Sequence, residues 1–169
     1  MAIISTISLI FSFFLQGYTS TIFKYSIINP SWFSTVYVLI NLIILFPYYE
    51  NRKKYLKLLI IFGLLIDIVY TNTLILNTII FLAIYFICKQ INYFLPQNIL
   101  TVNVLAIISI ILYHIFNYLI LTIIGFDTYT IKEILTIIAH SLIMTILYGS
   151  IMYLIIDGFS KRNEIKLIK

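Results

Sequence analysis

The sequence predicts an all-α polytopic membrane helix bundle of about six transmembrane helices, and three observations carry this prediction. Hydrophobic residues make up 62% of the 169 residues, whereas charged residues make up only 10%. The mean hydropathy of +1.08 is far above that of a soluble domain of this size. The apolar runs are long and apolar on all sides, which excludes amphipathic surface helices and the alternating strands of a membrane β-barrel.

Six apolar runs approach the roughly 20 residues that a helix needs to cross a bilayer. In chain order they are residues 3–23, 32–48, 55–70, 74–91, 99–125 and 131–156. Proline, asparagine or glycine separates the runs, as is typical of helix ends. We interpret the first run as a span rather than a signal peptide, because no basic residue precedes it and no cleavage site of small residues follows. We expect residues 1–160 to form one transmembrane domain and residues 161–169 a short basic cytoplasmic tail.

The distribution of lysine and arginine predicts the orientation, because cytoplasmic loops hold an excess of both. With six spans and the N-terminus inside, only Lys24 and Lys132 fall on the outer side. The nine others fall on the cytoplasmic side: Arg52, Lys53, Lys54, Lys57, Lys89, Lys161, Arg162, Lys166 and Lys169. We therefore predict that both N and C termini are cytoplasmic in a cell inner (plasma) membrane. Since these cations lie beside apolar runs, we expect them to meet membrane lipid headgroups rather than nucleic acid.

Asp67 is the only acidic residue well inside a predicted span, where a carboxylate at the helix centre costs about 2.5–3.5 kcal/mol. Gly63 lies four residues before it and Thr71 four residues after it, so the three share one helix face. A glycine on that face lets a neighbouring helix approach closely. We expect Asp67 to accept hydrogen bonds from the free N–H groups that open the fourth helix. Contact with a partner protein and a proton or ion relay are the alternatives.

His114 and His140 are predicted to lie at similar depths, about 15 Å from the outer ends of the fifth and sixth spans. We favour two separate histidines, each bonded to a nearby polar group. Two histidines without cysteine or a nearby carboxylate make a poor ligand set, so no metal is predicted. Cys88 is the only cysteine, which excludes an internal disulfide.

Motifs for enzymatic chemistry are absent from the sequence. It has no P-loop, no nucleophile elbow, no His-Glu-Xaa-Xaa-His motif and no paired carboxylates. We therefore predict no enzyme, no catalytic residue and no cofactor. Several polar residues do lie inside the apolar runs, where we expect them to join helices through hydrogen bonds. They are Gln16, Asn41, Asn77, Asn103 and Asn117.

A segment that joins the third and fourth runs carries a family resemblance. Residues 63–71 read Gly-Leu-Leu-Ile-Asp-Ile-Val-Tyr-Thr, and Leu74, Leu76 and Asn77 follow. This segment resembles the most recognisable part of the rod shape-determining protein MreD family. The chain length, the glutamine of the first span and the proline before the second are also similar to that family. Ser31 and Ile75 depart from the pattern, since the family commonly has aspartate and glycine at these places.

The resemblance implies a non-catalytic component of the bacterial cell-wall elongation complex. Such a protein regulates cell shape by binding MreC and associated peptidoglycan synthesis proteins, and the resemblance implies no oligomeric state. The candidates for structural or partner contacts are Gly63, Asp67, Tyr70, Thr71, Asn77, His114 and His140.

Two other functions compete with this interpretation. The substrate-binding membrane subunit of an energy-coupling-factor vitamin transporter has a similar length and six spans. Those subunits typically carry a small-xxx-small pattern in the first span, whereas here Ala2 is the only alanine near that span. The second competitor is a proton-coupled carrier that uses Asp67. Neighbouring genes would separate the three, because an MreD-type protein is expected beside MreB and MreC and a transporter subunit beside transporter ATPases.

Overall fold

The computed structural model describes residues 2–22, 35–49, 51–125 and 130–162 of the chain. The helices in these residues are α1 (Ala2–Ile22), α2 (Tyr37–Leu45), α3 (Arg52–Ile66), α4 (Leu76–Phe94), α5 (Ile99–Ile124) and α6 (Ile131–Arg162). A 3-10 turn, Phe46–Tyr48, follows α2, and a π-helical turn, Asp67–Thr71, follows α3. The described residues contain no strand, which confirms the predicted all-α fold.

Four helices of the described chain, α1, α4, α5 and α6, are long and apolar enough to cross a membrane. The protein is therefore a membrane protein built as a helical bundle. α2 belongs to a shorter apolar stretch, Tyr37–Tyr48, and α3 has only 15 residues. The count of six crossings and the cytoplasmic termini stay predictions. Lys24, Pro30 and Ser31 lie outside the described residues.

Asparagine and glycine residues fix several helix ends. Asn51 Oδ1 accepts two N–H groups of the first turn of α3, at 3.0 and 3.2 Å. Asn98 caps α5 in the same way, through the N–H of Thr101 at 2.8 Å. These side chains satisfy donors that a helix start leaves unpaired. α5 ends at Gly125, whose φ of 88° is the left-handed conformation that commonly ends a helix.

The last helix extends beyond the predicted end of the sixth span at residue 156 and reaches Arg162. Lys161 Nζ lies 2.7 Å from Asp157 Oδ2, one helical turn away. Lys161 and Arg162 also complement the negative end of the helix dipole. The first two residues of the predicted tail thus continue the helix, and residues 163–169 lie outside the described chain.

The second helix lies at the centre of the bundle. All nine residues of α2 are buried, and it packs against α1, α5 and α6. A helix that is apolar on all sides is expected inside a bundle, since it has no polar face for water. α3 packs on α4, α4 on α5, and α5 on α6. α3 and α4 therefore form a helical hairpin that joins the core largely through α4.

Polar side chains inside the apolar runs join helices, as predicted for most of them. Asn41 Nδ2 on α2 donates to Ser12 Oγ on α1 at 2.7 Å. Asn103 Nδ2 on α5 donates to Ser150 Oγ on α6 at 2.9 Å. Asn117 differs, because its Nδ2 donates at 3.0 Å to a carbonyl of its own helix. Interhelical hydrogen bonds of this kind contribute about 0.6 kcal/mol each.

Candidate functional site

The Asp67 carboxylate is fully buried directly after α3 and accepts five hydrogen bonds. Oδ1 accepts from Thr73 Oγ1 at 2.5 Å, from the Asn77 N–H at 2.8 Å and from Asn77 Nδ2 at 3.0 Å. Oδ2 accepts from the Thr78 N–H at 3.0 Å and from Thr78 Oγ1 at 2.9 Å. Two carboxylate oxygens offer about four lone-pair sites, so these donors saturate the group. The predicted bonds from the start of the fourth helix to Asp67 are present.

The position of the carboxylate explains how α4 begins. Asn77 and Thr78 are the second and third residues of α4, and their N–H groups have no acceptor within the helix. Ile75, which precedes the helix, has no polar side chain that could cap it. Asp67, at the end of α3, therefore caps α4 in place of the serine or aspartate that commonly stands directly before a helix. Its negative charge also lies at the positive end of the α4 dipole.

The backbone of Asp67 organises the turn that joins the two helices. Its carbonyl oxygen accepts the N–H of Asn72 and, at 3.0 Å, the N–H of Thr73. Asn72 has a φ of 50°, a left-handed conformation that asparagine adopts more readily than most residues. Thr71 Oγ1 closes the turn by bonding to Thr73 Oγ1 at 2.7 Å and by accepting from Asn77 Nδ2 at 3.0 Å. We call Asp67, Thr71, Thr73, Asn77 and Thr78 the Asp67 cluster.

Gly63 provides the close approach of α3 to α4 that the cluster requires. A Cβ atom added at this position would lie 2.9 Å from both Thr78 Cα and Thr78 Oγ1. Any larger residue would therefore push against the backbone of α4, at the residue whose N–H and hydroxyl bind Asp67. Gly63 thus lies at a point where α3 and α4 are in close contact.

Two tyrosines connect this region to other helices. Tyr70, in the π-helical turn, donates from its hydroxyl to the carbonyl of Phe13 on α1 at 2.7 Å. A Cβ atom added at Gly17 of α1 would lie too close to this hydroxyl and to the tyrosine ring. Tyr113 on α5 donates to Asn77 Oδ1 at 2.7 Å. The candidates Asp67, Tyr70 and Asn77 thus connect α3 and α4 to both α1 and α5.

The two histidines differ in their surroundings. His114 is buried on α5, with its ring 5.5 Å from the ring of Tyr113 in an edge-to-face arrangement. His140 lies on an exposed part of α6. α5 and α6 are packed neighbours, and the similar depth of the two histidines stays a prediction. Within the described chain, no three His, Cys, Asp or Glu side chains are grouped so as to hold a metal ion.

Sequence reasoning did not single out Thr73, Thr78 or Tyr113. A signal for the threonines was present, because polar residues at positions 71–73, 77 and 78 interrupt an otherwise apolar stretch after Asp67. The register that brings Thr78 under Gly63 depends on the π-helical turn, which the sequence did not predict. Tyr113 comes from α5, and its contact with Asn77 depends on the packing of whole helices.

No family model, curated protein or solved structure matches the chain. The membrane bundle and the chemistry of the Asp67 cluster are therefore the features that bear on function. The groups that hydrogen-bond to the carboxylate are hydroxyl, amide and backbone donors from the α3–α4 turn and the start of α4. Such an arrangement stabilises the junction of two helices, because each donor already has a carboxylate oxygen as its acceptor.

Proposed function

We propose that the chain is a non-catalytic membrane component of the bacterial cell-wall elongation complex, which regulates cell shape by binding MreC and associated peptidoglycan synthesis proteins. One observation carries this proposal. The residues of the MreD-like segment contact one another and determine how α3 meets α4. Gly63 allows the approach, Asp67 accepts the bonds, and Thr71 and Asn77 complete the turn. The MreD-like segment therefore corresponds to one local arrangement rather than to unrelated positions.

The surface of the bundle supports binding within the bilayer. α1, α5 and α6 expose large apolar side chains, among them Phe11 and Phe14 on α1 and Leu147 on α6. The connection between α4 and α5, residues 95–98, is short and offers little surface outside the membrane. A single-span partner such as MreC would therefore contact the helix faces rather than a folded domain.

The distribution of charge supports a plasma-membrane location with cytoplasmic termini. Most of the described basic residues lie at one end of the bundle, at the start of α3 and the ends of α4 and α6. They are Arg52, Lys53, Lys54, Lys57, Lys89, Lys161 and Arg162. Lys132, at the start of α6, lies at the opposite end. The positive-inside rule would place the larger group in the cytoplasm, next to the MreB filament.

Affinity purification from a mild detergent tests the proposal. We expect the tagged chain, expressed from its own locus, to retain MreC at least about tenfold above an unrelated tagged membrane protein of equal abundance, since tenfold corresponds to about 1.4 kcal/mol of binding preference. Depletion of the chain is expected to turn rod-shaped cells round. Retention of a transporter ATPase and its coupling subunit, without MreC, would instead support the vitamin-transporter function.

A further inference from the structure

The α3–α4 hairpin has only a short uncharged stretch between its lysines and the turn that joins the two helices. Lys57 on α3 and Lys89 on α4 are both exposed, and each is the charged residue nearest the turn on its own helix, apart from Asp67. At about 1.5 Å per residue, both lysines lie about 20 Å from the turn that joins the helices. The hydrocarbon core of a bilayer is about 30 Å thick. α4 as a whole is long and apolar enough to cross a membrane, but the stretch between its lysine and the turn is about 10 Å shorter than this core, and α3 gives the same estimate.

The neighbouring hairpin of α5 and α6 is long enough to cross completely. α5 has 26 residues and is therefore about 39 Å long. On α6, Glu133 and Asp157 are separated by about 36 Å along the helix axis. Because residues 95–98 connect α4 to α5 directly, the two helices are level at that end. α4 has 19 residues, so α5 extends about 10 Å beyond it at the other end.

The turn between α3 and α4 exposes apolar rather than polar side chains. Leu74 is 89% exposed, Ile68 69%, Val69 56% and Ile75 55%. We call these four residues the α3–α4 apex. Leu74 and Ile75 lie in the connection itself, where a turn in water usually has polar residues. Asn72 is the exposed polar side chain of the turn.

One residue accepts several backbone N–H groups of this turn and of the start of α4. Asp67 alone accepts four backbone N–H groups, those of Asn72 and Thr73 through its carbonyl and those of Asn77 and Thr78 through its carboxylate. In water a turn can leave such donors to solvent. In hydrocarbon each unpaired donor is costly, so non-helical backbone at membrane depth has to be bonded within the protein.

We propose that the α3–α4 hairpin ends inside the bilayer, and that its apex contacts the lipid acyl chains of the leaflet opposite the lysine-rich end. The third and fourth apolar runs would then form a re-entrant hairpin, with both ends of the chain still on the same side of the membrane. The occupant of the apex surface is lipid, because the lysine positions and the helix lengths place that surface about 10 Å below the far headgroups. This inference does not depend on the proposed function.

Two single-cysteine variants test the depth of the apex, both made in a Cys88→Ala background. Leu74→Cys places a thiol on the apex, and Ile131→Cys places one at the start of α6, at the same end of the bundle. Both native side chains are well exposed within the protein, at 89% and 68%. The two positions therefore differ mainly in their predicted depth in the bilayer. The purified protein is reconstituted in phosphatidylcholine vesicles and treated with a membrane-impermeant maleimide. A second sample is labelled in detergent with bimane before reconstitution with nitroxide lipids.

We expect the thiol at position 74 to react at least about tenfold more slowly than the thiol at position 131, because only the thiolate reacts and it does not form in hydrocarbon. Equal rates after denaturation in SDS provide the control for thiol integrity. Bimane at position 74 should be quenched most by a nitroxide on the acyl chain, and bimane at position 131 by a nitroxide on the headgroup. Equal reaction rates in vesicles, or headgroup quenching at position 74, would overturn the inference. Slow reaction without any lipid quenching would also overturn it, since a second copy of the chain would then cover the apex.

Discussion

Asp67→Leu is expected to remove most of the folded protein from the membrane. The substitution leaves the N–H groups of Asn77 and Thr78 buried without an acceptor, because Ile75 cannot cap the helix. Each unpaired donor costs about 1–3 kcal/mol, so the two together cost about 2–6 kcal/mol. Proteins are stable by only about 5–15 kcal/mol, so the upper end of this loss reaches the whole stability of a marginally stable protein. The measurements are the amount of protein in isolated membranes and the free energy of unfolding in mixed detergent micelles.

Asp67→Asn serves as the matched variant, since it keeps the volume and one acceptor oxygen but cannot exchange a proton. Its NH2 group replaces the oxygen that accepts from the Thr78 N–H, so we expect a loss of about 1–3 kcal/mol, smaller than that of the leucine variant. The folded fraction should retain normal activity in a cell-shape complementation assay. An abundant but inactive Asp67→Asn protein would contradict the structural role and support a proton relay.

Gly63→Val is expected to be the second most damaging substitution. The new Cβ atom alone would lie 2.9 Å from Thr78 Cα, and the atom it meets belongs to the backbone of α4. α4 must therefore move away, which costs about 1–3 kcal/mol for the overpacking and weakens the bonds from Thr78 to Asp67. The free energy of unfolding and the protein level in membranes report the loss.

Gly158→Val is the control for this prediction. Gly158 also lies within a helix, but a Cβ atom added there meets nothing within 4 Å. We expect its effect to stay within about 0.5 kcal/mol, as for most exposed positions. Equal losses at positions 63 and 158 would show that the helix disfavours valine in general, and that the contact between α3 and α4 is not responsible.

Much of the fold could be predicted from local sequence. Apolar runs of sufficient length predict helices in a bilayer directly, since the backbone has no other way to satisfy its hydrogen bonds there. The role of Asp67 as an acceptor was also predictable. A carboxylate inside an apolar run needs donors, and the nearest unpaired donors along the chain are those that open the next helix. Gly63, one turn earlier on the same face, indicated where that helix would approach.

The remaining features depend on information that is not local. The π-helical turn after Ile66 shifts the register of the residues that follow, so the partners Thr73 and Thr78 could not be derived from regular helical spacing. The contacts of Tyr70 with α1 and of Tyr113 with α5 join residues far apart in the chain. The third run, residues 55–70, is the shortest of the six, and α3 has only 15 residues, of which the first three are cations.

A double-mutant cycle between Asp67 and Thr78 tests most directly whether the carboxylate joins α3 to α4. Thr78→Val keeps the shape of the side chain but removes the hydroxyl that donates to Asp67 Oδ2 at 2.9 Å. We expect it to destabilise the wild-type protein by about 1 kcal/mol, and to cost less in an Asp67→Asn background, where an NH2 group replaces the oxygen that accepts this hydroxyl. Thr145→Val is the control, because Thr145 is also buried and its hydroxyl bonds to Ser141 of its own helix. The free-energy cost of Thr145→Val should be the same in both backgrounds. If the cost of Thr78→Val is also the same in both, the carboxylate does not join α3 to α4 as described here.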